Sequence, residues 1–180
     1  VSPWHVAFIR RTINPNVHLI YNGYAPEQFY FAPVKHSQFL ISYIGKIYEF
    51  QDPTPIEQAV RELNISDIVL NYHTPTHNPI PITAVGDEIR RSSICIVLTN
   101  KSAKGMMTTK FYEALGCEKP VLCVPSDEGV LATTIRGTNA GIATDNKEEI
   151  KQFIIEKYRE WQANGYTHQA VQHKQQFSRE

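Results

Sequence analysis

The run from Asn100 to Pro125, NKSAKGMMTTKFYEALGCEKPVLCVP, constrains the fold more than any other stretch of this chain. Just before it, Ile94-Cys95-Ile96-Val97-Leu98 is a short apolar run rich in β-branched residues, the pattern of a strand buried on both faces. Asn100 to Gly105 is polar and basic, so the chain leaves the sheet there. Thr108 or Thr109 is placed to cap a helix, because a threonine oxygen accepts from the free amides of the first turn. Phe111 and Leu115, at i and i+4, give that helix a buried stripe. Gly116 or a neighbour ends it, and Pro120 to Val124 begins the next strand. A loop opening onto a helix N-terminus presents unpaired N–H groups and the positive end of the helix dipole, which favours an anion. Glu113, one turn in, is then positioned to accept hydrogen bonds from sugar hydroxyls beside that anion. The plain alternative is an ordinary strand–helix unit with a solvated glutamate.

The rest of the chain repeats the alternation. Val1-Ser2-Pro3-Trp4 reads as a strand end entering a helix, with Ser2 as N-cap, Pro3 at N1 and Trp4, Phe8 and Ile9 on an apolar face up to Asn14-Pro15. Val17 to Tyr21 reads as a short strand, followed by Asn22-Gly23, a pair suited to positive φ. Phe39 to Ile44 is a buried strand ending at Gly45-Lys46. Glycine there lets the backbone approach a ligand and Lys46 is placed to neutralise phosphate; otherwise the pair is a loop glycine and a solvated lysine. Thr54-Pro55-Ile56-Glu57 is a capping box opening a helix to Asn64, and Asp67 to Asn71 is the next strand. Tyr72 to Pro81 reads as an irregular loop. Pro75, between His73 and His77, excludes a helix that would aim both at one metal, so these histidines are expected to be structural or solvated. Ile82 to Gly86 reads as a strand leading into a helix over Asp87 to Ser92. Ser126 to Gly129 starts another helix with Val130, Leu131 and Ile135 inward. Gly141-Ile142-Ala143 is a last strand, and Asp145-x-x-Glu148 caps a long amphipathic helix carrying Ile150, Phe153, Ile154 and Trp161. A terminal helix is expected to contain His168, His173 and Phe177.

Strands and helices alternating at short spacing predict an α/β fold, a Rossmann-like doubly wound parallel sheet with helices on both faces. At 180 residues the chain is one domain or one domain with a fragment. Eighteen basic and eighteen acidic residues cancel, which gives no electrostatic footprint for nucleic acid. No apolar run reaches the roughly 20 residues of a membrane-spanning helix. Cys95, Cys117 and Cys123 show no metal-binding spacing and read as buried reduced thiols, as in a reducing cytoplasm. A dinucleotide-dependent oxidoreductase would require Gly-x-Gly-x-x-Gly after its first strand, and this chain has none.

The run Gly105-x-x-Thr108-x-Lys110-Phe111-Tyr112-Glu113-Ala114-Leu115-Gly116-Cys117-Glu118-Lys119-Pro120-Val121-Leu122 resembles the donor-binding signature of GT-B glycosyltransferases, in particular the retaining enzymes of glycosyltransferase family 4. Many of those enzymes carry two glutamates in this motif. The second, which holds the ribose of a sugar nucleotide, matches Glu113, whereas the first falls on Gly105. A subset of the family has glycine there and a Thr-x-Lys before the remaining glutamate, as in this chain. Asn22-Gly23 followed by Phe29 resembles the family's interdomain segment. Gly45-Lys46 matches its Gly-Arg phosphate contact by charge; no second base follows, and Lys101, Lys104 and Lys110 are the loop candidates for that role. By order in the chain, Val85 and Gly86 fall at the corner that holds the nucleobase.

The resemblance thus implies half of a two-domain enzyme. Residues 1–16 would be the end of a missing N-terminal domain and a linker helix, 17–165 the sugar-nucleotide-binding domain, and 166–180 a truncated closing helix. The substrate would be a nucleoside-diphosphate sugar. A saccharide or lipid-linked acceptor would be bound through the missing domain, as in polysaccharide biosynthesis, with retention of configuration. Amides near Thr108 and Thr109, together with Lys46 or a loop lysine, would stabilise the leaving diphosphate, so no metal or other cofactor is expected. The protein would be cytoplasmic, free or peripheral to the inner face of the membrane, and inactive as this piece alone. Trp4, Phe8 and Phe177 would be left exposed. The rival is a non-catalytic interaction domain of the same fold that has lost donor binding, which Gly105 and the missing second base favour.

Overall fold

The computed structural model describes residues 2–179; Val1, read above as a strand end, and Glu180 lie outside the described residues. The elements run α1 (Pro3–Thr12), β1 (Phe39–Ile44), α2 (Thr54–Leu63), β2 (Ile68–His73), α3 (Val85–Arg91), β3 (Ile94–Leu98), α4 (Thr109–Gly116), β4 (Val121–Val124), α5 (Val130–Gly137), β5 (Gly141–Ala143) and α6 (Lys147–Asn164). The strands are all parallel and stand in the order β2-β1-β3-β4-β5. Helices cover both faces, which is why the strands read as continuous apolar runs. On one face Cys95, Val97, Val121 and Cys123 pack with Phe111, Leu115, Leu131 and Ile135. On the other, Ile94, Ile96, Leu98 and Leu122 pack with Ile56, Ile150 and Ile154. This is the doubly wound Rossmann-like architecture expected. The three cysteines are free and buried, and burial pushes their thiols up.

Several local expectations are corrected. Residues 17–21 form no regular element and pair with no strand among the described residues, and Ile20 is 77% exposed. Without a neighbour to complete the ladder, an apolar pattern does not make a strand. Gly23 is not at positive φ. It is instead required by close approach, because a Cβ there would lie 2.1 Å from the Phe177 carbonyl oxygen. The Thr54 capping box does not form: Pro53 is the N-cap of α2, and the Thr54 N–H donates to Asp52 at 2.9 Å. Asn146, not Asp145, caps α6, accepting from the Glu148 and Glu149 amides. Asp145 accepts from the Ser126 amide and pairs with Lys101. Ile82–Ala84 is a 3-10 turn rather than a strand, and α3 already begins at Val85. Tyr72 and His73 belong to β2. His73 is structural, bonded to the Asn78 carbonyl at 2.8 Å and lying 3.3 Å from Glu88. Among the described residues, no three His, Cys, Asp or Glu side chains come together as metal ligands. No helix among them is long and apolar enough to cross a membrane.

The C-terminal segment is not the helix expected. Residues 166–173 are irregular and Lys174–Phe177 form a 3-10 turn. The segment folds back over α4, and Phe177 is 3% exposed, packed against Phe111, Tyr112 and Tyr21. Trp4 and Phe8, by contrast, are 50% and 44% exposed. Two residues of the family-like motif anchor the segment. Lys119, almost wholly buried, donates to the Thr167 carbonyl at 3.2 Å. Glu118, at φ 53°, accepts from His168 at 2.7 Å and from Lys174.

Burial pushes the Glu118 carboxyl up, but the bonds from Lys174 and His168 outweigh it and hold the group below the ordinary carboxylate range. Its folded pKa is therefore depressed, so its contribution is present above the ordinary value of 4.5 and is lost as pH falls through the lower folded value. Glu118→Gln is expected to lower stability by about 1 kcal/mol at pH 7 and by less in acid, since the pair is partly exposed. Urea melts at pH 7 and pH 3 check this; an equal loss at both would mean that the ion pairs contribute nothing.

Candidate functional site

The strand order reverses direction between β1 and β3. From β1 the chain proceeds to β2 on one side, and from β3 to β4 and β5 on the other. Helices diverge at such a switch point and leave a crevice outside the carboxyl ends of the two strands. Gly45 follows β1, and the loop leading to α4 follows β3. A cleft of about 330 Å³ opens there, with Gly45, Val85, Thr109, Lys110, Glu113 and Arg179 in its walls.

Local chemistry builds this site. Thr108 is the N-cap of α4 and its hydroxyl accepts from the Phe111 amide. No acidic residue stands in the first turn. The amides of Thr109 and Lys110 have no acceptor among the described residues. Phe111, Ala114 and Leu115 bury the opposite face of the helix and fix its register. Gly45 has φ +123°, and a Cβ on it would lie 2.9 Å from both Cε and Nζ of Lys110. Its bareness is what lets the lysine lie across the end of β1, with Nζ 5.2 Å from the Tyr43 ring centre. Burial lowers the Lys110 ammonium pKa, with Glu113 opposing. Burial likewise raises the Glu113 carboxyl, offset by Lys110 and Arg179. The Glu113 carboxylate is partly buried and has no hydrogen-bond partner among the described residues. Half-buried carboxylates usually find one, which makes Glu113 a candidate for contact with a ligand.

Of the nine residues singled out in the sequence, the fold brings Gly45, Val85, Thr109, Lys110 and Glu113 around this cleft. Thr108 serves behind it as the cap. Lys46 does not line it; its ammonium is exposed and lies 5.2 Å over the Tyr48 ring. Gly86 lies within α3, pressed toward the Gln28 carbonyl, and lines a neighbouring hollow beside Tyr30 and Arg90. Gly105 is set apart, beneath the Trp4 ring. Of the loop lysines, Lys101 pairs with Asp145 at 2.5 Å, and Lys104 is exposed.

The residue that sequence reasoning missed is Arg179. Its backbone amide donates to the Tyr24 carbonyl at 3.1 Å and its guanidinium to Asn22 at 2.9 Å, which sets it in the cleft wall near Glu113. The only signal for it was its place at the end of the closing segment.

The fold and the cleft together define a Rossmann-like, doubly wound α/β domain with a helix N-terminus, a lysine, an arginine and a lone carboxylate at its switch point. Compared with models of known protein families and with curated proteins, the sequence matches none. Among solved structures it is similar to Anabaena Alr3699/HepE, determined in complex with UDP-glucose. The TM-score is 0.64 at 12% identity, over 88% of this chain and 52% of that one. The chain thus spans about half the length of that protein, and at this identity the likeness establishes the fold.

Proposed function

We propose that this chain is the donor-binding domain of a glycosyltransferase that moves a sugar from a nucleoside-diphosphate sugar to an acceptor. The observation that carries this is the meeting, at one switch point, of a bare Gly45, the acid-free start of α4 and the unpaired Glu113 carboxylate. It is supported by the resemblance of residues 105–122 to the family 4 signature and by a fold shared with a protein that binds UDP-glucose. In this reading the diphosphate lies against the Thr109 and Lys110 amides, with Lys110 and Arg179 as counter-charges. Glu113 accepts from the ribose hydroxyls. Val85 and the 3-10 turn before it border the base.

In the reaction the bond from the anomeric carbon to the phosphate oxygen breaks and its electron pair passes to the diphosphate. The acceptor oxygen bonds that carbon and its proton leaves to a base. This domain's part is electrostatic. Fixed dipoles and cations stabilise the charge that grows on the leaving group without reorganising, and on this reading no metal takes that part. The acceptor, a saccharide or lipid-linked saccharide, and the base that takes its proton belong to a further domain. This chain alone is therefore a binder without turnover. Retention of configuration and a cytoplasmic place, free or at the membrane's inner face, follow from the family 4 resemblance alone.

The rival, a domain of the same fold without donor binding, draws on Gly105 and on Lys46 standing outside the cleft. Calorimetric titration with UDP, UDP-glucose and the corresponding GDP and ADP compounds separates the two. Saturable binding of at least one nucleoside diphosphate, with its sugar conjugate competing for the same site, is the expected result. No binding across the panel would establish the rival.

A further inference from the structure

A second and larger cavity, about 540 Å³, adjoins the cleft on the other side of the α4 N-terminus. Asn22 lines this cavity and Gly23 the cleft, while Met107 lines the cavity and Thr109 the cleft. Among the described residues its wall is apolar at Trp4, Met106 and Met107, basic at Lys101 and Lys104, and contains no carboxylate. Tyr112 also lines it; the residue is fully buried and its hydroxyl has no hydrogen-bond partner among the described residues. A buried phenol without a partner carries a desolvation cost that a ligand oxygen would remove. Lys101 is already engaged by Asp145 at 2.5 Å and by Glu128 at 3.8 Å. Among the described residues Lys104 has no acidic partner, so it is the wall's free cation.

Trp4 and Gly105 are sterically tied. A Cβ at Gly105 would lie 2.7 Å from the indole, so the ring occupies the place beside α4 that a side chain at 105 would fill. The indole remains half exposed, stacked parallel to Phe8 at 5.9 Å between ring centres. The exposed part of the indole, with a few polar groups around it, gives a sugar an apolar surface to lie against. A carboxylate in this place would repel an anionic sugar; the described wall offers the Lys104 ammonium instead.

We propose that this cavity is a subsite for an acidic sugar, one bearing a carboxylate or phosphate, with its apolar side against the exposed part of Trp4, the charge at Lys104 and a ring or anion oxygen on the Tyr112 hydroxyl. That the sugar can be the one carried by a nucleotide in the adjoining cleft rests on the function proposed above; recognition of the acidic sugar itself does not.

The test titrates the chain with glucose, glucuronate and glucose 6-phosphate, then with UDP, UDP-glucose and UDP-glucuronate, by calorimetry and tryptophan fluorescence. Trp161 is buried and far along α6, so a fluorescence change reports Trp4. Free acidic sugars are expected to bind at least tenfold more tightly than glucose, and Lys104→Gln to remove that preference while UDP affinity stays unchanged. Trp4→Ala should weaken acidic and neutral sugars alike. The Lys104 side chain is exposed and has no acidic partner among the described residues, so its variant should fold, which circular dichroism verifies. Glu113→Gln separates the two proposals, since it should weaken UDP and leave free glucuronate untouched. A tenfold preference for UDP-glucuronate over UDP-glucose identifies the donor's own sugar as occupant, whereas a preference among free sugars only identifies an acceptor saccharide. Glucuronate binding without any UDP binding would keep the subsite and sink the donor-domain function. Equal binding of acidic and neutral sugars in both series, or a preference that survives Lys104→Gln, would overturn the proposal.

Discussion

Gly23→Ala is expected to lower stability by about 3 kcal/mol, at the upper end of ordinary point substitutions, and to weaken nucleotide binding as well. The added methyl would stand 2.1 Å from the Phe177 carbonyl oxygen and 2.9 Å from its carbon. Both are backbone atoms, so no side-chain rotation relieves the clash. The closing segment must move away, and that breaks the Tyr24 amide to Phe177 carbonyl bond at 3.0 Å and the Arg179 amide to Tyr24 carbonyl bond at 3.1 Å. Phe177 leaves its place against Phe111 and Tyr112. Arg179 then loses the backbone bond that sets it in the cleft wall. Urea melts and UDP titration of the same preparation read the two effects together. A variant as stable as the parent would mean that the segment is not packed as described. A destabilised variant with parental UDP affinity would remove Arg179 from the site.

The β3–α4–β4 unit was legible in the sequence because its signals are local. A short β-branched run favours a buried strand, Thr108 supplies its own cap, and Phe111 and Leu115 set the helical register. The cleft position followed from the same unit, since Glu113 lies on that helix. What was not legible depends on distant partners. Residues 17–21 have a strand-like pattern, but strand formation needs a neighbour, and among the described residues the only bridge nearby joins Tyr24 to Ser178. Gly23 read as a turn glycine because the carbonyl that forbids its side chain arrives from Phe177. Lys46 read as the phosphate contact because it follows Gly45 in sequence. In space the lysine that covers Gly45 is Lys110, carried in by α4 from another part of the chain. Arg179 was invisible as a site residue for the same reason. Of the three aromatic residues expected to be exposed, Trp4 and Phe8 are, whereas the 3-10 turn folds Phe177 into the core.

The second large effect is expected at Glu113, where stability and binding should part company. Burial raises its carboxyl pKa, only partly offset by Lys110 and Arg179, so the folded chain holds that proton more tightly than the unfolded chain. The ionised group therefore costs stability at neutral pH. That cost is absent below the ordinary value of 4.5 and sets in as pH rises through the higher folded value. Glu113→Gln removes the charge at nearly constant shape. At pH 7 it should melt no lower than the parent, and any gain should vanish in acid.

The same variant replaces a charged acceptor for the ribose hydroxyls with a neutral one. Hydrogen bonds to a charged group contribute about 1.5–3 kcal/mol, which corresponds to roughly 10- to 150-fold in affinity. The most direct test of a nucleotide-sugar cleft at this switch point is thus a paired measurement at pH 7, thermal melting and UDP titration of parent and Glu113→Gln. An unchanged or higher melting temperature with affinity reduced about tenfold or more is the predicted result; equal affinity in a folded variant, or a loss of affinity no larger than a loss of folded protein explains, would contradict it.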